Sequence, residues 1–148
     1  EAARAAFAES LDIRRRILAR VGETPEALRD LSVSLDNVGK TDQALGDLEA
    51  ARAAFAESLD IRRRILARVG ETPEALRDLS VSLDNVGKTD QALGDLEAAR
   101  AAFAEGLELA ERLAAALPNH VDYKDLPDWF RRRLAEIADA ERARPSDA

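Results

Sequence analysis

Apolar residues recur every three or four positions along most of the chain, the spacing of one face of an α-helix. Capping residues divide this pattern into separate helices. Asp47 is a favoured N-cap for a helix that runs to about Val69, where Gly70 offers a left-handed C-cap. Pro73, suited to a first helical position, begins another helix that ends near Leu93. The connections are short, so neighbouring helices are expected to run antiparallel.

This two-helix pattern is duplicated without change. Residues 1–57 are identical to residues 49–105, and the first difference is Gly106, where Ser10 and Ser58 stand in the earlier copies. The period is therefore 48 residues, and self-similarity of this length indicates stacked helical repeats. Such identity fits either a recent duplication or an engineered array, and the sequence leaves both open.

The period divides the chain into four segments. Because Glu1 corresponds to Glu49, inside a helix, the chain is expected to begin with the second helix (helix B) of a truncated repeat. Two complete pairs of a first helix (helix A) and a helix B follow, and then a loop and a capping helix. The predicted segments are 1–22, 23–70, 71–117 and 118–148. The closing face of the last helix is predicted to consist of Trp129, Phe130, Leu134 and Ile137.

Two charged residues fall among the apolar positions of these helices. Asp42 interrupts the apolar arc of helix A, and Arg62 interrupts that of helix B. An unpaired buried charge is very costly, so both are expected to be at least partly buried and paired with oppositely charged neighbours. The hairpin geometry places Asp42 near Arg52, and Arg62 near Asp30 and Asp78. Neither charge has a nucleophile or metal ligand nearby, which favours a role in setting helix register over catalysis.

The composition excludes several classes of function. Of the 148 residues, 46% are hydrophobic and 34% are charged, and the net charge of −7 argues against general nucleic-acid binding. The chain has no cysteine and a single histidine, His120, so we predict no metal site, cofactor or catalytic group. It has no apolar run of about 18 residues, so no membrane partner is expected. With no signal peptide, a cytoplasmic location is predicted.

Two stretches resemble the tetratricopeptide repeat family. GDLEAARAAFAESLDI, residues 46–61, is similar to the family's second helix, and LDNVGKTDQALGD, residues 35–47, is similar to its first. The sequence departs from the family pattern in its period, which is 48 instead of the usual 34 or so, so both helices are longer. Leu35 replaces the usual Trp, and Asp42 replaces the usual aromatic residue.

The resemblance implies an all-α, right-handed solenoid of about six helices, whose A helices line a concave surface. It also implies a scaffold without enzymatic activity that binds an extended peptide or protein. By resemblance, Asn37 and Asn85 contact a ligand backbone. The charge of Lys40 and Lys88 suits them to meet a carboxylate or an acidic side chain. The alternative is an ordinary solvated helix face. The candidate binding residues are Val33, Asp36, Asn37, Lys40, Val81, Asp84, Asn85 and Lys88.

A structural role is the rival interpretation. A helix B without its helix A leaves an apolar face open at the start of the chain, and that face is predicted to stack on another copy. The chain would then be a self-associating building block without a dedicated ligand. An enzyme is a third class, for which no residue offers a mechanism. The candidate self-association residues are Phe7, Leu11, Ile17 and Leu18.

Overall fold

The structure is a computed structural model that describes residues 1–145. This part of the chain contains six α-helices and no β-strand, which confirms the all-α architecture. The last predicted segment, 118–148, extends beyond the described residues. The helices are α1 (Ala2–Val21), α2 (Pro25–Ala44), α3 (Leu48–Val69), α4 (Pro73–Ala92), α5 (Leu96–Ala116) and α6 (Leu126–Ala143).

The helices begin and end where the capping residues predict. The Thr72 hydroxyl accepts a hydrogen bond from the Ala75 amide at 3.1 Å, which satisfies one free donor at the start of α4. Asp47 caps α3 in the same way through the Ala50 amide, at 3.1 Å. Gly70 ends α3 with φ 82°, a conformation that residues with a Cβ rarely adopt. Short connections join successive helices and reverse the direction of the chain.

The helices are arranged in two layers. Helices α2, α4 and α6 are the A helices, and α1, α3 and α5 are the B helices. In the A layer, Arg29 of α2 contacts Asp78 of α4 at 3.2 Å. In the B layer, Arg63 of α3 contacts Glu105 of α5 at 2.9 Å. Each helix therefore packs against its sequence neighbours in the other layer and is tied by ion pairs to the next helix of its own layer.

Leucines and closely packed phenylalanines form the core. Leu28, Leu31 and Leu35 of α2 pack against Ile61 of α3 and Leu11 of α1. In each complete pair of an A helix and a B helix, the phenylalanine of the B helix lies over the glycine of the A helix. A Cβ on Gly39 would lie 2.6 Å from Cε1 of Phe55, and a Cβ on Gly87 would lie 2.5 Å from Cε1 of Phe103. The small residue therefore makes room for an aromatic ring.

The burial of the two charged residues is confirmed, but most of their predicted partners are wrong. Asp42 is buried, and its ion pair is with Arg4 of α1, whose Nε lies 2.8 Å from the carboxylate, and not with the predicted Arg52. Arg52 instead reaches Asp90 of α4, also at 2.8 Å. Each of these B-helix arginines points towards the A helix of the following repeat, so the pairing runs between repeats. Arg62 is buried as expected, but its ion pair is with Asp36 and not with the predicted Asp30, which pairs with Arg14. Of the predicted Asp78, it contacts the backbone carbonyl oxygen and not the carboxylate.

Helix α6 covers the end of the stack with part of the predicted face. The ring of Phe130 occupies the space beside Gly106, which replaces the serine of the preceding repeat. Phe130 and Ile137 are fully buried, and Leu134 is half-buried. Trp129 is 40% exposed, so its assignment to the closing face is wrong. It lies one position off the stripe formed by residues 130, 134 and 137, and it faces α4.

Candidate functional site

The exposed side of the A helices carries apolar side chains in a polar setting. Val33 of α2 is 42% exposed, and Val81, its equivalent in α4, is 38% exposed. Lys40 is exposed and Asn37 is half-buried. We call this side the A surface, defined by Val33, Val81 and Trp129. Its apolar groups are separated by polar ones.

Asp36 is not part of the A surface, contrary to the prediction. It is buried, and its carboxylate lies 2.7 Å from Nη2 of Arg62. Nη1 of the same guanidinium donates to the carbonyl oxygen of Asp78 at 2.8 Å and to the Ser82 hydroxyl at 3.0 Å. Arg62 thus joins α2, α3 and α4, and its long side chain reaches Asp36 from the neighbouring helix. Burial raises the pKa of Asp36, and the attraction of Arg62 only partly offsets this effect.

In the second repeat, the equivalent aspartate, Asp84, has different partners. Ala110 of α5 stands where α3 has its buried arginine, so Asp84 loses that partner. Asp84 instead accepts a hydrogen bond from Nε1 of Trp129 at 3.1 Å. Lys88 lies 3.3 Å from its carboxylate and Arg133 lies 3.6 Å from it. The same aspartate is therefore enclosed in one repeat and half-buried at the A surface in the other.

The two asparagines also differ in exposure. Asn85 is buried, so its predicted availability to a ligand is wrong, whereas Asn37 is half-buried. Among the described helices, α4 is flanked in its layer by both α2 and α6, whereas α2 has only α4 beside it. The additional neighbour explains why residues of the same sequence are less accessible in α4.

Trp129 is the residue of this surface that the sequence analysis missed as a binding candidate. Its ring stacks under Arg133, whose Cζ lies 4.5 Å from the ring centroid. Together with Val81 and Asp84, Trp129 lines a cleft of about 200 Å³ between α4 and α6. The signal in the sequence was the position of this lone Trp, which lies outside the apolar stripe of its own helix.

The chemistry of the A surface is suited to binding. It offers apolar contact at Val81 of α4 and Trp129 of α6, with positive charge from Lys40 of α2 and Lys88 of α4. Within residues 1–145, no group of three or more His, Cys, Asp or Glu side chains is placed to hold a metal ion. Nor is any helix of this region both long and apolar enough to cross a membrane.

The predicted self-association face of α1 differs from the prediction in which of its side chains are exposed. Leu11 is buried against α2 and Leu18 is half-buried there, so their assignment to an open face is wrong. Phe7 is half-buried as well. Ile17 is 48% exposed, and so is Ile13, which the prediction omitted. The helix uses one side to pack on α2 and leaves the adjacent side open.

Comparison with known protein families gives one description. The family described as Tetratricopeptide repeat matches residues 31–69 and 79–122, more than half of the chain. Each matched range begins within an A helix and includes the B helix that follows. No curated protein matches the chain in a sequence comparison.

Proposed function

Because the chain belongs to the tetratricopeptide repeat family, we propose that its A surface binds an extended segment of a partner protein, without catalysis. Proteins of this family generally mediate protein–protein interaction or scaffolding, and they are generally non-catalytic. The observation that carries the proposal is the cleft between α4 and α6, where exposed Val81 and Trp129 stand beside charged groups. Sites for partner side chains commonly combine such an apolar pocket with a few polar groups.

The preferred segment carries one large apolar side chain and one carboxylate. The apolar side chain occupies the cleft, where the Trp129 ring supplies contact area at low entropic cost. The carboxylate pairs with Lys40, which is exposed, in preference to Lys88, whose charge is partly neutralised by Asp84 at 3.3 Å. Asn37 is the accessible amide for a hydrogen bond to the backbone of the segment.

A peptide selection tests this proposal. Random peptides displayed on phage are selected against the immobilised chain, and the affinity of each selected peptide is measured by fluorescence anisotropy. The test variant combines Val81→Glu with Trp129→Ala. Val121→Glu is the matched control, since Val121 is 77% exposed and lies in the loop before α6. We expect the test variant to weaken binding at least tenfold and the control to leave it unchanged.

The lysines provide an independent comparison. Lys40→Glu is expected to reduce the affinity of peptides that contain a carboxylate, whereas Lys124→Glu, in the exposed loop, is not. Circular dichroism establishes that each variant is folded, as expected for substitutions at exposed positions. The proposal fails if the selected peptides bind the Val81→Glu, Trp129→Ala variant as tightly as the unmodified chain.

A further inference from the structure

A second cleft, which we call the α2–α4 cleft, lies between the N-terminal ends of α2 and α4. Its apolar lining consists mainly of Ile65 and Val69, from the end of α3, and Ala75 of α4. Its volume is about 410 Å³, within the range of roughly 300–1,000 Å³ that is typical of ligand pockets. Arg29 also lines the cleft and lies one helical turn before Val33, so the cleft adjoins the A surface.

In the following helix pair, an aromatic side chain fills the equivalent space. Leu113 and Leu117 stand one period after Ile65 and Val69. Tyr123 is buried in the same cluster as Leu113, and Leu117 packs against that cluster. Leu113 is fully buried, whereas Ile65 is half-buried and Val69 is exposed. The tyrosine therefore covers, in the second pair, the positions that remain open in the first.

The lengths of the two connections explain this difference. Residues 117–125 join α5 to α6, and they contain a turn in which the Tyr123 amide donates to the carbonyl oxygen of His120 at 3.1 Å. The His120 ring stacks on the tyrosine ring, with the two centroids 4.0 Å apart. Residues 70–72, which join α3 to α4, are Gly, Glu and Thr and supply no such ring. The α2–α4 cleft therefore has walls equivalent to those that hold a tyrosine elsewhere in the chain.

The charges around the α2–α4 cleft define what suits the surroundings of a bound ring. Arg29 of α2 reaches across to α4, where its Nε donates to Asp78 at 3.2 Å and its Nη2 lies 3.5 Å from Glu74. Glu26 and Glu74 are both exposed. Together with Asp78, they place three carboxylates against one guanidinium in the lining of the cleft. This excess of negative charge favours a positively charged group beside the ring.

We propose that the α2–α4 cleft binds an aromatic side chain of the partner protein that is adjacent to a lysine or arginine. The ring packs on Ile65 and Val69, and the basic side chain pairs with the carboxylates at the edge of the cleft. Arg29 is placed to stack on the bound ring, as Arg133 stacks on Trp129 in the neighbouring cleft. This inference rests on the proposed function, because it adds a second anchor to the same partner segment.

A basic form of the connection that contains Tyr123 is the probe. The peptide has the sequence of residues 118–126 with Asp122→Lys and Asp125→Lys, and its binding to the full chain is followed by NMR through the methyl signal of Ile65. We expect a saturable shift at millimolar peptide concentrations. Tyr123→Ala in the peptide is expected to weaken binding at least about tenfold, since the ring supplies most of the buried apolar area. No saturable shift, or equal binding of the Tyr123→Ala peptide, would overturn the proposal.

Two alanines in the same local sequence provide a matched pair of chain variants. Ala75 and Ala27 both follow Thr-Pro-Glu at the start of an A helix, but of the two only Ala75 lines the cleft. Ala75→Leu is expected to fill the cleft and weaken binding of the probe at least about tenfold, whereas Ala27→Leu leaves it unchanged. Circular dichroism establishes that both variants are folded. Equal affinities of the two variants for the probe would place its binding site elsewhere and refute the assignment.

Charge reversal at the edge of the cleft tests the basic neighbour of the ring. The unmodified chain is expected to bind the probe at least about threefold more tightly than the peptide of residues 118–126 that keeps both aspartates. A chain that carries Glu26→Lys and Glu74→Lys should reverse this preference. Because the comparison is between two peptides on the same chain, a small change in stability does not affect it. A preference that is the same for both chains would refute the predicted basic neighbour.

The variant that combines Val81→Glu with Trp129→Ala separates this inference from the proposed function. It alters the cleft between α4 and α6, so it is expected to leave the affinity of the probe unchanged. Peptides from the phage selection that lose affinity for this variant but bind Ala75→Leu normally would support the proposed function and refute the second anchor. The reverse result would refute the role of the cleft between α4 and α6 and support that of the α2–α4 cleft.

Discussion

Replacement of Arg62 by Met tests the role of the buried ion pair. Asp36 would keep its buried position but lose the guanidinium 2.7 Å away. Removing one partner of a buried ion pair typically costs about 3–5 kcal/mol, because the remaining charge stays buried and uncompensated. Arg14→Met is the matched control, since Arg14 has the same sequence neighbours but is 41% exposed at its side chain. Its cost is expected to be about 0–1 kcal/mol.

The pH dependence identifies Asp36 as the source of the cost. Burial already raises the pKa of Asp36 above its unfolded value, and the loss of Arg62 raises it further. As the pH falls through this raised pKa, Asp36 takes up a proton in the folded state before the unfolded chain does. Stability that is lost at neutral pH is therefore recovered on acidification, and the difference between variant and unmodified chain shrinks.

Urea unfolding followed by circular dichroism, at neutral pH and at several lower values, measures both effects. A double variant, Arg62→Met with Asp36→Leu, is expected to recover most of the loss at neutral pH, because both charges are gone. If Arg62→Met costs no more than Arg14→Met, the buried ion pair does not have this role. A cost of Arg62→Met that is the same at every pH would likewise exclude Asp36 as its source.

Two further predictions concern the phenylalanine contacts, and urea unfolding measures both. Phe55→Ala is expected to cost about 3–5 kcal/mol, since the ring is fully buried, whereas Phe7→Ala should cost less than about 1.5 kcal/mol. Equal costs would show that α1 and α3 have the same surroundings. Gly87→Ala is expected to destabilise by about 1–2 kcal/mol, because overpacking against Phe103 exceeds a gain of about 1 kcal/mol in helix propensity. Phe103→Leu in the same chain should remove part of that penalty, and a stabilising Gly87→Ala would contradict the contact.

The architecture was predictable from the sequence because its signals are local and repeated. Asp47 and Thr72 cap helices through amides three residues ahead, so a short window contains all the information. The apolar spacing likewise defines which face of each helix is buried. Because the two copies have the same sequence, the helix pair predicted for one is also predicted for the other, and two such pairs form a stack.

The environment of individual side chains was less predictable because it depends on which helix lies alongside. Ile13 and Ile61 have identical sequence neighbours, so no local pattern can distinguish the exposed residue from the buried one. Asp36 has the spacing of a surface residue, but an arginine from the next helix makes its burial tolerable. The contact of Trp129 with Asp84 joins residues 45 positions apart.

Cysteine labelling tests the stacking of A and B helices most directly, because the chain contains no cysteine. Ile13→Cys and Ile61→Cys place one thiol in the same sequence context at two places in the stack, and the rate of reaction with a thiol reagent reports exposure. We predict that the thiol at position 61 reacts at least about 100-fold more slowly, equivalent to about 2.8 kcal/mol of protection. Equal rates in the two folded variants would show that the two positions are equally open and that the helices do not stack in this way.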